Sequence, residues 1–316
     1  MRFSRSRIGA TIALALFVVA GAGCTLINKV RAKNELNETA KAYREGHFDE
    51  AEQHARRALL LDPTNKTAQI FIARVIHQQY KPGIEPPPNI DAARAKIKEA
   101  LDKNPKDDEA LKAQAALDAA IKNVQKAREA IDAYKRILET DPRNEEAYKA
   151  VSVLYAAIKD DTKLREWILA RANDPNMTNE KRAEAYAILA GKDWDCSFKV
   201  TEQPEVKVTS SEGGTPKVTY QKPKEQKDFD MIQRCVVRGL EEAETAIKYD
   251  PNNESAWSYK TNLLYEAVKI AKMNGEADKA TQYTNQAAIA QKRATTLAEE
   301  RRKKEEAAEQ KASPAP

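Results

Sequence analysis

The chain has 316 residues, 41% of them hydrophobic and only 6% aromatic, with a formal net charge of +5. That length fits one large domain or two ordinary ones, and abundant alanine with few rings suits close-packed helices better than a β-sandwich. More than half of the positive excess lies in Arg2, Arg5 and Arg7 at the extreme N-terminus, so basicity gives no support to a nucleic-acid partner.

The first predicted element is "MRFSRSRIGATIALALFVVAGAGC", with a basic start, an apolar run from Ile8, small residues and then Cys24. This is the layout of an export signal. "AGAGC" resembles a bacterial lipobox, whose cysteine is lipidated and becomes the mature N-terminus. That family prefers an aliphatic residue three places before the cysteine, where this chain has Gly21. Two other readings stay open: a plain cleaved signal, or an uncleaved anchor, since Ile8 to Ile27 supplies about the 20 residues that a span needs. The expectation is a signal over 1–23, lipidation at Cys24, a tether over 24–33, and a chain exported to the cell envelope on the periplasmic side of the inner or outer membrane.

Beyond the tether a motif recurs: "LDPTNKTAQ" from Leu61, "KNPKDDEAL" from Lys103, "TDPRNEEAY" from Thr140 and "YDPNNESAW" from Tyr249, with a partial copy "NDPNM" from Asn173. The residue before a proline is pushed out of the helical region, so one helix stops there. Two residues after it, Asn65, Asp107, Asn144 and Asn253 are placed to cap the next helix. Upstream of each proline, small or apolar residues recur at i, i+4 and i+7, which is one helix face. They are Ala51, Ala55 and Ala58; Ala93, Ile97 and Ala100; Ala130, Tyr134 and Ile137; and Gly239, Ala243 and Ala246. In the remaining unit the residues are Lys163, Trp167 and Ala170, where Lys163 departs from the pattern.

These residues resemble the tetratricopeptide repeat (TPR), most clearly in "GHFDEAEQHARRALLLDPTN" from Gly46 and "DPNNESAW" from Asp250. Pro63, Pro105, Pro142 and Pro175 lie near the family's period of about 34 residues, and the gap to Pro251 is roughly doubled by an insertion in the fifth unit. The resemblance implies an all-α, TPR-like α-solenoid of about six helix pairs, with repeats over 34–190 and 228–310, a capping helix at the end and a disordered tail over 311–316. It also implies a groove lined by first helices that takes protein or peptide partners. Tyr148, Tyr155, Tyr186, Trp257 and Tyr259 are the partner-binding candidates on those helices, and packing between repeats is the other reading of each. Leu36 and Ala40 stand where some relatives carry a carboxylate clamp, so no clamp is expected.

The insertion, 191–227, alternates: Phe198 and Val200, then Val206 and Val208, "SSEGG", and Val218 and Tyr220. Period two around a glycine-containing loop predicts a β-hairpin, with Pro204, Pro216 and Pro223 keeping its strands short. If Cys24 is lipidated, Cys196 and Cys235 remain, and an even pair in an exported chain predicts a disulfide; two buried free thiols are the alternative. No phosphate loop, nucleophile elbow or metalloprotease signature occurs. His47 and His54 flank Glu50, but without a zinc signature they read as surface or packing residues. The expectation is therefore a non-catalytic, membrane-tethered scaffold without cofactor or metal. Two rivals stay open: a glycan or cell-wall fragment held at Trp194, Phe198 and Tyr220, and an enzyme whose site is assembled from several repeats.

Overall fold

The computed structural model describes residues 26–312 apart from 213 and 214. The export signal and Cys24 lie outside the described residues, as do 313–316 of the expected tail. The described chain is all-α with one small sheet. Its elements are α1 (26–44), α2 (Phe48–Leu61), α3 (Lys66–Gln79), α4 (Ile90–Lys103), α5 (Asp108–Thr140), α6 (Glu145–Ala157), α7 (Asp161–Asn173), α8 (Asn179–Thr201), β1 (Lys207–Glu212), β2 (Thr215–Tyr220), α9 (Gln226–Tyr249), α10 (Glu254–Met273) and α11 (Ala277–Ala312). The tether expected over 24–33 is helical from residue 26, because Ala32 already packs on Ala58 and Ala68 and extends α1 towards its start.

The recurrent motif builds its turns from local hydrogen bonds. The side chains of Asn65, Asp107, Asn144 and Asn253 accept from the backbone N–H of Ala68, Ala110, Ala147 and Ala256 at 2.9–3.0 Å. The residue before each proline donates its N–H back to the finished helix, as Asp62 does to Ala58 and Asp250 to Ala246. One helix end and one helix start are thus satisfied within four residues. In the partial copy Thr178 takes the cap position of α8. Gly46 (φ +79°) and Gly275 (φ +74°) close α1 and α10 in the left-handed conformation that glycine tolerates.

Neighbouring helices run antiparallel. Gln79 at the end of α3 reaches Asp49 and Glu52 at the start of α2. Ala183 and Ala187 of α8 meet Ala246 of α9, whereas Val200, near the end of α8, meets Phe229 and Ile232 near the start of α9. The expected third pair departs from this scheme. It is one continuous helix, α5, because no glycine or proline interrupts residues 108–140 and nearly every residue there is a good helix former.

The chain divides into two compact units after Asp161, a boundary that the repeat pattern does not mark. In the first unit, α2 packs on α3, and α5 on α3, α4 and α6. In the second, α8, α9 and α10 pack against one another, and α11 covers α10.

The hairpin is shorter than the insert expected over 191–227. β1 and β2 pair antiparallel from Lys207↔Tyr220 to Glu212↔Thr215. The stretch containing Phe198 and Val200, expected to be a strand, is the last part of α8. Its buried residues Ala190, Asp193, Ser197, Val200 and Thr201 keep helical spacing, and α9 begins at Gln226.

Candidate interaction surfaces

In the first unit, α1, α3, α5 and α6 line an open groove of about 610 Å³. Tyr43 of α1, Arg74 and His77 of α3, Tyr134 of α5, and Lys149 and Val153 of α6 face it. Arg74 grips Glu146 with two hydrogen bonds, at 2.8 and 2.7 Å. The Arg74 guanidinium holds the Glu146 carboxyl below its ordinary range, so both groups stay charged. Burial pushes the Tyr134 hydroxyl up to about 12, and burial lowers the pKa of His77 beside it. The floor is therefore neutral and ring-lined, with a charged pair across it. Val153 stands 58% exposed on its wall, an apolar side chain with no partner of its own.

The second unit holds two buried charge networks. Asp193 of α8 is bound by Arg238 of α9 and by Arg165 of α7, and Arg165 also pairs with Glu242 of α9. Asp193 and Glu242 are 2% and 7% exposed. Burial, joined by the charge of Asp193, pushes the Glu242 carboxyl up to about 8, and its second oxygen has no hydrogen-bond partner. In the other network Glu266 accepts from Ser197, Thr201 and Lys269, and Lys269 also reaches Glu202. Burial works against the charge of Lys269, but its bonds to Glu202 and Glu266 raise its pKa overall. Glu202 pairs in turn with Lys207 at the first residue of β1. The base of the hairpin is thereby tied to α8 and α10 through ions. Cys196 and Cys235, with Cα atoms 6.3 Å apart, are joined in a disulfide. Cys196 sits inside α8 rather than just past a helix end, since α8 continues to Thr201.

The aromatic candidates are placed mainly by packing. Tyr155 is buried and accepts from Lys135 at 2.8 Å. Tyr148 is half-buried. Tyr186 stacks on Tyr249 and donates to Asn173. Trp257 packs against Leu264 and Ala287 and donates to the Pro251 carbonyl. The Tyr259 ring lies over Gly191, where an added Cβ would come within 2.6 Å of it. Tyr155, Tyr186, Trp257 and Tyr259 are each held by a neighbouring helix or turn. Trp194, Phe198 and Tyr220 do gather. Trp194 and Phe198 lie 5.1 Å apart, and the Lys269 ammonium stands 5.3 Å from the Phe198 ring and 4.9 Å from the Tyr220 ring. Phe198 is 38% exposed. The unit-one groove residues Arg74, Lys149 and Val153 were not singled out by sequence. Only their place on first helices, at positions pointing away from the packed face, signals them.

Among the described residues no group of histidine, cysteine and acidic side chains has the arrangement of a metal site, and no helix is long and apolar enough to cross a membrane.

Residues 238–267, spanning parts of α9 and α10, match the model of the protein prenyltransferase alpha subunit repeat. No curated protein matches the chain. Among solved structures, the chain is similar to that of Pseudomonas aeruginosa PilF, at 12% identity over 82% of this chain and 91% of that one, with a TM-score of 0.32. It is also similar to the TPR2AB domain of yeast Sti1 in complex with pHSP90, at 16% identity over 84% and 96%, with a TM-score of 0.21. The Naa15/Naa10 structure bound to HypK-THB is similar at 14% identity over 86% and 57%, with a TM-score of 0.15. Likenesses this remote carry no argument about function. The TPR-like description of the fold stands on the chain's own helix pairs and caps.

Proposed function

We propose that the chain is a non-catalytic scaffold of the cell envelope, tethered to a membrane through its N-terminal segment, which binds a protein or peptide segment in the groove of the first unit. The observation that carries this reading is the pairing of an unpartnered apolar wall, Val153, with the fixed charges of Arg74 and Glu146 and the free ammonium of Lys149. An apolar anchor beside charged groups is how a peptide groove obtains both affinity and register. The test is affinity capture from envelope membranes with the wild-type chain and with Val153→Asp and Lys149→Glu variants. A partner retained by the wild type and lost by both variants supports the reading, whereas capture that is indifferent to both removes it. The tether is tested separately by globomycin: unchanged gel mobility of the chain counts against lipidation at Cys24.

A second reading places a glycan or cell-wall fragment on Trp194 and Phe198, favoured by their ring contact and by the exposure of Phe198. Soluble peptidoglycan fragments that quench tryptophan emission in the wild type but not in Phe198→Ala would support it.

A further inference from the structure

The start of α1 carries apolar side chains that nothing in the described chain covers. Its packed stripe is Ala32, Leu36 and Thr39, turned towards α2 and α3. Ile27 and Val30 lie on the far side of the helix at 100° per residue and are 59% and 56% exposed. Leu26 is 67% exposed. Because α1 and α2 are antiparallel, this end of α1 lies beside the end of α2, where Leu60 is 81% exposed. Arg31, Arg57 and Leu60 line one cleft of about 530 Å³ there, and Lys29 is close enough to Asp62 to lower its pKa, after the hydrogen bonds from Thr64 and Asn65.

Charge around these apolar groups is biased. Glu35 is already engaged by His54 and Arg57, at 2.7 and 3.0 Å, and Asp62 by the turn. Arg31 and Lys33 have no ion pair among the described residues. Exposed aliphatic side chains beside cations that are not spent in ion pairs, here Arg31 and Lys33, is the composition of a surface that lies in a lipid interface. The place in the chain agrees: Leu26 lies two residues after Cys24, at the end of the apolar stretch that begins at Ile8.

We propose that this end of the first unit is a bilayer-contacting surface, in which Leu26, Ile27, Val30 and Leu60 enter the interfacial layer and Lys29, Arg31 and Lys33 meet the phosphates of anionic lipids. The inference rests on the tethered reading above and adds to it: the anchor supplies attachment, and this surface fixes how the first unit stands on the membrane. Long basic side chains suit the role because their stems lie along apolar surface while their heads stay at the phosphate level.

The experiment uses the full chain reconstituted into phosphatidylglycerol–phosphatidylethanolamine vesicles. An environment-sensitive fluorophore is attached at Leu60→Cys or, as a control on α5, at Leu111→Cys, and the labelled wild-type chain corrects for any signal from Cys24. Both positions are exposed, so neither substitution disturbs the core. The expected result is a blue-shifted emission at position 60, quenched by spin-labelled lipid, with a water-like emission at position 111. Water-like emission at both positions on a chain that floats with the vesicles overturns the surface and leaves the tether standing. A chain that fails to float overturns the tether, and the surface with it. Equal blue shifts on neutral phosphatidylcholine vesicles overturn the role of anionic lipid, whereas a loss of the shift in Arg31→Glu supports it.

Discussion

Helices α4 and α9 precede the same motif and carry the same spaced face, yet they end up differently. In α9 Gly239, Ala243 and Ala246 are all buried, against α8 and α10 together. In α4 no residue is buried, and Ala93, Ile97 and Ala100 are only half-covered, chiefly by α5. The spaced face says where a neighbour can come close, but the depth of burial depends on how many neighbours arrive. Small residues in α9 also admit side chains that α4 never meets. An added Cβ at Gly239 would lie 2.8 Å from Leu263, and Glu242 on the same helix is buried against Arg165.

Several substitutions would break or sharpen this contrast. Removing the disulfide with Cys235→Ser, in the α8–α9 layer, is expected to cost about 2–5 kcal/mol, read as a lower Tm in non-reducing buffer; an unchanged Tm would mean that packing alone holds the pair. Gly239→Leu forces side-chain bulk into Leu263 and is expected to cost about 1–3 kcal/mol by overpacking. The matching Ala93→Leu in α4 is expected to stay within about 0.5 kcal/mol, as at other lightly packed sites. Equal losses from the two, in denaturant titrations, would erase the distinction drawn here.

Glu242 supplies a pH-dependent version of the same test. Its folded-state pKa of about 8 lies above its ordinary 4.5, so between these values the folded chain binds more protons than the unfolded one. Stability is then greatest below about pH 4.5 as far as this group is concerned, and falls as pH rises towards 8. Glu242→Gln is expected to flatten the decline in Tm between pH 5 and pH 8; a slope identical to the wild type would assign the dependence elsewhere. A modest effect belongs to the recurrent turn itself, which follows α5 as it follows α4 and α9. Asn144→Ala, which deletes a cap of the first unit, is expected to cost about 1 kcal/mol, measurable as a small shift in the denaturation midpoint.

The turns were legible because their physics is local: the proline, the cap and the alanine that donates to it lie within six residues. The hairpin strands were legible for the same reason. The true length of α8 was not, because its buried face carries Asp193, Ser197 and Thr201 where a pattern reader expects apolar groups. Their partners, Arg238 on α9 and Glu266 on α10, come from remote parts of the chain. The family period of about 34 residues implies regular helix pairs, whereas residues 108–140 contain no breaker and form one long helix. Among the site residues, Cys196 and Cys235 were found by parity. The tyrosine and tryptophan candidates lie on α6, α8 and α10, but sequence cannot tell a ring that faces a groove from one that packs against a neighbouring helix.

The covalent link between Cys196 and Cys235 has a consequence for how the chain can be cut. Every residue of the hairpin lies inside the loop that the link closes, and the α8–α9 seam runs along both sides of it. A single protease cleavage between β1 and β2 would therefore leave two fragments that run as one chain under denaturing conditions until a reductant is added. The same position is a natural port: a tag or a foreign domain spliced there leaves both helix ends joined through the disulfide.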